Sequence, residues 1–363
     1  MDGGAVVPIG QGTYGCVFDP PLRCTGSKKA VAGKRRKVGK IGRSKEIKAE
    51  VRVSEILSDV PDANNMYVLA DKGSMCKPAP IKKQGPDEQL AIEKCEAYKK
   101  WGLSDMLHYT MNFGGITIKK LEQRPIKEFP IYSFTQRLLT STSYFLLKGL
   151  VHYDLHTGNI LINPKTHMPV IIDFGMTFFV DDIQNASFLE NIWTSFSAWA
   201  NPEPPEITYI TGIRKGMSSD AIIMAIMEEK PSLAMMDSVF KVSKLSQIKQ
   251  LIDYIHVSKS IKARDWSNLF SKYWPVLDAW AVGGILIHFY KITMFATTNS
   301  SKGEFSRHHA VLKRVIKGLL SCDPRKRLDC LEALSILDPD NSLVTSAEGM
   351  AWLKERSKGR QGD

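Results

Sequence analysis

The sequence has no CxxC pair, no internal repeat and no secretory start, and each absence removes a class of protein. Its six cysteines, Cys16, Cys24, Cys76, Cys95, Cys322 and Cys330, lie scattered along the 363 residues. That scatter suggests neither a zinc-finger site nor a dense disulfide framework. The opening Met-Asp-Gly-Gly lacks a basic n-region, a long apolar run and a glycine at position 2. It therefore carries no secretory or myristoylation signal, and a reducing, soluble, intracellular setting is expected. The most apolar run, Trp280 to Tyr290, contains His288 and is too short to span a bilayer.

Acidic residues are almost missing from one window. Between Lys28 and Lys48 stand ten basic residues, opposed by Glu46 alone, so this stretch carries +9 of the net +11. A strongly basic chain points toward nucleic acid or anionic membrane. Here the rest of the chain is nearly balanced, and the basic run has no interleaved aromatics, recognition helix or zinc finger. No specific nucleic acid and no membrane are expected as partners; a patch for acidic substrates remains open. With 43% hydrophobic and 24% charged residues the composition is that of a globular chain with ample core.

Along the chain, the first 35 residues read as strands and turns, 44–57 as a helix, 60–88 as loops and 89–101 as a second helix. His108–Asn112 reads as a strand, Phe134–Leu150 as a long apolar helix and Val170–Asp173 as a buried strand. Amphipathic helices are expected over 218–258, a buried helix over 276–291 and further helix over 307–337. About the last twenty residues are polar and are expected to be loose. A β-rich start before a helical remainder implies an α+β chain of two lobes.

Residues 9–17 contain Gly10-x-Gly12-x-x-Gly15-x-Val17. Glycines let a backbone approach phosphate, but the same pattern marks dinucleotide folds. Those folds need a helix straight after the glycines. Here Cys16-Val-Phe continues as strand into Pro20-Pro21, which favours a hairpin. Val31-Ala32-Gly33-Lys34 follows as a strand with a small residue two before a lysine, the arrangement that positions ATP phosphates. Glu50 is the expected helix partner of Lys34, with Glu46 as second choice. Read blandly, Lys34 is one solvated member of the basic run.

Two later motifs are far more specific. His152-x-Asp154-x-x-x-x-Asn159 is followed by Asp173-Phe174-Gly175. Phosphoryl transfer needs a carboxylate to orient the acceptor, here Asp154, and oxygen ligands for Mg2+ (or Mn2+), here Asn159 and Asp173.

Together these motifs resemble the eukaryotic-type protein kinases over roughly residues 6–337. Gly12-Thr-Tyr-Gly-Cys-Val-Phe-x-Pro-Pro-Leu-x-Cys24 is similar, more narrowly, to the start of the serine/threonine kinases of large nucleocytoplasmic DNA viruses. The resemblance implies an N-lobe over 4–112 and a C-lobe over 113–340. It also implies an enlarged insert at about 207–272, a tail at 341–363, and ATP between the lobes. It implies that Ile9, Gly10, Gly12, Gly15, Val17, Ala32, Lys34 and Glu50 contact or position the nucleotide. Met111 would be the gatekeeper, Phe113 part of the hinge and Leu161 the floor under adenine. Pro204-Pro205-Glu206 looks like the Ala-Pro-Glu that closes the activation segment. Asp278-Ala-Trp280 matches the central C-lobe helix, and Arg327 the arginine that pairs with the segment's glutamate. The viral likeness implies host cytoplasm, with packaging in the virion.

Two positions depart from the family pattern. Tyr153 stands where an arginine usually meets a phosphorylated loop, which implies activity without phosphate on Thr194, Ser195 or Ser197. His156 stands where a γ-phosphate lysine is usual, and Asp-Leu-His-x-Gly-Asn is similar to aminoglycoside and choline phosphotransferases. A small-molecule phosphotransferase and a pseudokinase scaffold therefore stand beside a protein kinase. For Met224, Ile226, Met227, Leu233, Met235 and Met236 in the insert, both packing and a docking groove stay open.

Overall fold

The computed structural model describes residues 8–12, 15–26, 36–118, 120, 129–185, 192, 195–296 and 302–361. The chain forms two compact units, one from residues 1–115 with 170–175, the other from 116–169 with 176–363. It is α+β, β-rich in the first unit and helical in the second.

The first unit is built on an antiparallel sheet of β1 (Gly10–Gln11), β2 (Gly15–Phe18), β3 (Lys37–Arg43) and β4 (Met106–Asn112), in that order. Register lines up Gly10, Val17, Lys40 and Tyr109 across all four strands. The next row, Gln11, Cys16, Ile41 and His108, faces the other way, as the two-residue period requires. Gly15 has a packing reason: a Cβ there would sit 2.2 Å from the Ile41 carbonyl oxygen.

The sheet's second face carries the core. Cys16, Phe18 and Ile41 pack against Ala91, Ile92, Cys95 and Ala97 of the helices Pro86–Glu93 and Glu96–Trp101. A disulfide joins Cys16 to Cys95, and a second joins Cys24 to Cys76. The scatter of cysteines in sequence hid both, because each bridge closes across residues 79 and 52 positions apart. The 60–88 stretch, expected as loop, carries a short helix at Ala63–Met66 and a 3-10 turn at Ile81–Lys83.

On the first face lies α1 (Ser44–Ser58). Its buried residues are Ile47, Glu50, Val53, Ser54 and Leu57, one stripe at helical spacing. Glu50 thus lies on the face turned to the sheet.

The second unit centres on the helix Leu277–Ala296, packed by Ile131–Leu147, Lys302–Leu319 and Cys330–Leu337. Phe134 and Phe289 meet with ring centroids 4.5 Å apart. The apolar stretch is longer than the sequence suggested. Trp266–Phe295 has the length and composition to cross a membrane, but 83% of its most apolar window is buried inside the protein. It is a core element by that burial.

Over 207–272, expected as an enlarged insert, the helices include Ser219–Glu229, Pro231–Phe240 and Lys244–Val257. Ser218 and Ser243 cap two of them by accepting from the backbone three residues on. Ile226, Leu233 and Met236 are buried, whereas Met224 is exposed. Packing is therefore the role of the first three.

The last residues are not loose. Ala347–Gln361 is a helix held by polar contacts: Trp352 and Arg356 both donate to the buried Asp329 carboxylate, each at 3.0 Å. Asp329 and Glu332 also form a reciprocal capping box for Cys330–Leu337. A polar tail with no apolar stripe gave no periodic signal, so these contacts were invisible in sequence.

Candidate active site

The residues singled out in the sequence fall into two groups, one in each unit. In the first unit the glycine segment is a hairpin: β1 and β2 pair, and Gly12 N–H donates to the Gly15 carbonyl at 2.9 Å. Strand, not helix, follows the glycines, so the dinucleotide alternative lacks its helix. Gly12 closes on Asp173, whose Oδ2 lies 4.0 Å from the position a Gly12 Cβ would take.

Among the described residues, the lysine that meets Glu50 is Lys40. Lys40 Nζ donates to Glu50 Oε1 at 2.8 Å, to Glu50 Oε2 at 2.9 Å and to Asp173 Oδ1 at 3.0 Å. Lys34 and Ala32 lie outside the described residues. Both Glu50 oxygens are engaged by Lys40, which takes the place expected for Lys34. Two residues before Lys40 stands Val38, so the small-residue position given to Ala32 falls to Val38. Glu46 pairs instead with Arg43 at 3.5 Å.

Tyr109 was not anticipated. Directly opposite Lys40 on β4, it donates its hydroxyl to Glu50 Oε2 at 2.7 Å. Burial opposes the Lys40 charge, yet the Glu50 and Asp173 carboxylates beside it hold the ammonium above its ordinary pKa. Burial also pushes the Glu50 carboxyl up, so its charge depends on Lys40 and the Tyr109 hydroxyl. Asp173 differs: its side chain is 40% exposed, and it has a left-handed backbone, φ 65°. Phe174 beside it is buried against Tyr67, ring centroids 6.5 Å apart.

Other first-unit residues take these places. Met111 is buried on β4 opposite Val38, and Ala70 bridges to it. Phe113 is exposed beneath the Arg36 guanidinium, 4.4 Å from its ring centre. Ile9 is exposed and donates its backbone N–H to Val17.

In the second unit the loop 152–159 is tied from below. Asp278, half-buried at the start of its helix, accepts from His152 N–H at 2.7 Å and Tyr153 N–H at 2.9 Å. Burial lifts its pKa to about 6 against those two hydrogen bonds. Asn159 donates its amide to the Asp154 carbonyl at 2.9 Å and to Asp154 Oδ2 at 3.1 Å. The Asn159 nitrogen is thereby committed, and its amide oxygen is the atom suited to a hard cation. His156 Nδ1 accepts from Gly158 N–H, which leaves its Nε2 proton toward Asp154 Oδ1 at 3.7 Å. Tyr153 sits edge-on to Phe178, centroids 5.5 Å apart, in the place where an arginine was expected. Leu161 lies on the strand Ile160–Ile162, paired with Thr117.

The segment leading to Glu206 is anchored by three side chains. Arg327 makes a bidentate pair with Glu206 at 2.7 and 2.8 Å, both side chains 0% exposed. Trp280 donates its indole N–H to the Asn201 carbonyl at 3.0 Å. From the insert, buried Lys230 reaches the Ala200 and Glu203 carbonyls and the Thr208 hydroxyl, each at 2.9 Å. Of the three candidate phosphorylation positions, Thr194 lies outside the described residues, Ser195 is exposed, and the Ser197 hydroxyl is buried.

The family model of the protein kinase domain matches residues 5–336. A stretch of 61 residues is 33% identical to serine/threonine-protein kinase D of Synechocystis sp.; it covers 17% of this chain and 12% of that protein.

Proposed function

The chain belongs to the protein kinase family, and from that premise we propose that it transfers the γ-phosphate of ATP to serine or threonine hydroxyls of proteins. The observation that carries this reading is the Lys40 ammonium, held between Glu50 and Asp173. A half-buried cation fixed by two carboxylates has a defined direction, and it supports a role in positioning the α- and β-phosphates. The glycine hairpin would cover those phosphates with backbone N–H groups. Asp173 and the Asn159 oxygen are hard donors of the kind Mg2+ takes. When bound, that ion would neutralise charge on the transferring phosphoryl group.

Asp154 would orient the acceptor hydroxyl and take its proton, with Asn159 fixing the carboxylate through Oδ2. Asp278 would hold the loop's backbone and so the direction of Asp154. His156, close to Asp154, would meet the γ-phosphate where other kinases use lysine.

Protein acceptors are favoured by the Glu206–Arg327 pair, which anchors a peptide-binding segment that small-molecule phosphotransferases do not need. The second reading, a small-molecule phosphotransferase, is favoured by His156 itself. Choice of Ser/Thr rests on the resemblance of residues 12–24 and on the short stretch shared with kinase D; viral origin and an intracellular setting rest on that resemblance alone. Tyr153 against Phe178 supports activity without a phosphorylated segment.

The test is γ-labelled ATP with Mg2+, offered casein, basic proteins and small aminols in parallel. Label on protein is expected, and Asp154→Asn should cut it by at least about 10²-fold while remaining folded. Label on aminols alone would install the second reading, and no label the scaffold. Wild-type turnover by a folded Asp154→Asn chain would sink the assignment.

A further inference from the structure

The face of the sheet opposite Lys40 holds a cluster that phosphotransfer does not use. Cys24, Cys76 and His108 converge there, with His108 Nδ1 3.6 Å from Cys76 Sγ and 3.8 Å from Cys24 Sγ. His108 is wholly buried, and its Nε2 has no hydrogen-bond partner. That nitrogen lies against Gly39, where a Cβ would stand 2.2 Å from it. The imidazole is therefore confined, with Nδ1 aimed at the sulfurs.

Backbone ladders hold all three residues in place. Cys76 and His108 exchange both N–H···O bonds, at 2.8 and 2.9 Å, so their side chains leave the ladder on one face. Cys24 is fixed by Thr25 N–H to Lys77 O at 2.9 Å and Ala79 N–H to Arg23 O at 2.8 Å.

We propose that, with the Cys24–Cys76 bridge reduced, these two thiolates and His108 Nδ1 bind one zinc-class divalent cation. A zinc ion with Zn–S of about 2.3 Å and Zn–N of about 2.05 Å at the tetrahedral angle needs S···N of about 3.6 Å. Both observed S···N separations already meet that requirement. Only the S···S distance has to open, to about 3.8 Å on the same geometry. Cys24 and Cys76 are half-buried, so water can reach the fourth position. Two thiolates balance the ion's charge beside a neutral imidazole, which suits a largely buried site.

Disulfide and ion are alternative states of the same residues. Reduction takes two electrons from an external thiol pair: the Cys24–Cys76 bond breaks, two protein thiols form, and the reductant becomes a disulfide. Metal entry then releases the two thiol protons. The occupied site would tie the 24–25 and 76–79 segments to β4, the strand that carries Tyr109.

The experiment loads the full chain with Zn2+ or Co2+ after reduction, removes excess ion by dialysis and counts bound metal. One ion per reduced chain is expected, with none on the oxidised chain and a cobalt–thiolate charge-transfer band. Cys24→Ser should weaken affinity by at least tenfold, and Cys95→Ser should leave it unchanged. No retained ion on the reduced chain, or an unaltered count in Cys24→Ser, overturns the proposal. Should the variants fail to fold, alkylation of the reduced wild-type chain decides. Zinc must protect Cys24 and Cys76 and leave Cys16 and Cys95 as reactive as before; equal or absent protection overturns it.

Discussion

Replacing Lys40 with methionine isolates the charge at the heart of the first unit. The change keeps the side chain's length and removes three contacts, at 2.8, 2.9 and 3.0 Å, to Glu50 and Asp173. Asp173 is part-exposed and rehydrates, but Glu50 is buried and does not. An unpaired buried carboxylate costs about 3–5 kcal/mol when it stays charged. Protonation sets a ceiling below that. Starting from an ordinary pKa of 4.5, neutralising Glu50 costs roughly 3.4 kcal/mol at pH 7 and roughly 1.4 kcal/mol at pH 5.5. In the variant the folded pKa of Glu50 is raised above its unfolded value. Stability is therefore retained at low pH and lost as pH rises through the folded pKa. The gap between wild type and Lys40→Met should widen from pH 5.5 to 7, as read by denaturant unfolding. Phosphotransfer should fall by at least about 10²-fold, because the displaced charge acts directly on the reacting phosphates. Lys34→Met, measured beside it, should turn over like wild type. An inactive Lys34→Met with an active Lys40→Met would refute the assignment of the lysine. A pH-independent gap would refute the account of Glu50.

The remaining predictions concern the scaffold around the chemistry. Arg327→Leu strands Glu206 in the core and should cost about 3–5 kcal/mol, much of it recovered in the double variant with Glu206→Leu; a single-variant loss under about 1 kcal/mol in urea unfolding would contradict this. Asp278 has a folded pKa of about 6, above its ordinary 3.8. Its contribution is present at low pH and lost as pH rises through 6, a change of roughly 3 kcal/mol. Asp278→Asn should lack that decline when unfolding is followed from pH 4 to 7, and an identical slope in both proteins would refute it. Gly15→Ala should cost about 1–3 kcal/mol through its contact with the Ile41 carbonyl. Gly10→Ala, whose Cβ would meet Val17 side-chain atoms at 3.5 Å, should unfold close to wild type.

The sequence showed the chemistry of the second unit more clearly than that of the first. Asp154, Asn159, Asp278 and Arg327 stand in motifs whose spacing is fixed by short loops and helix starts, so position implies partner. Lys40 was obscured because Val31-Ala-Gly-Lys34 and Lys37-Val-Gly-Lys40 both present a strand-like lysine within the basic run. The deciding signal was the alternation Val38, Lys40 against Gly39, Ile41 running straight into the helix at Ser44. A strand carrying the lysine next to the Glu50 helix needs no intervening loop. Glu50 itself was readable, since it falls in the apolar stripe of α1. Tyr109 and the cysteine pairs were not. Their partners are distant in sequence: register between β3 and β4 places Tyr109, the bridges 24–78 and 76–108 bring Cys24 to Cys76, and helix packing on β2 brings Cys95 to Cys16.

Lys230 makes two parts of the chain depend on each other. Its ammonium comes from the stretch expected as an insert, and the oxygens that receive it belong to residues 200–208, the stretch that leads into the Glu206 anchor. Neither can drift alone. A descendant that shed the insert's helices would leave those acceptors without their donor, and one that recast the 200–208 stretch would bury a cation with nowhere to point. The helices around Lys230 and the 200–208 stretch thus form one polar unit, and a graft of either into another chain should carry both as a single cassette.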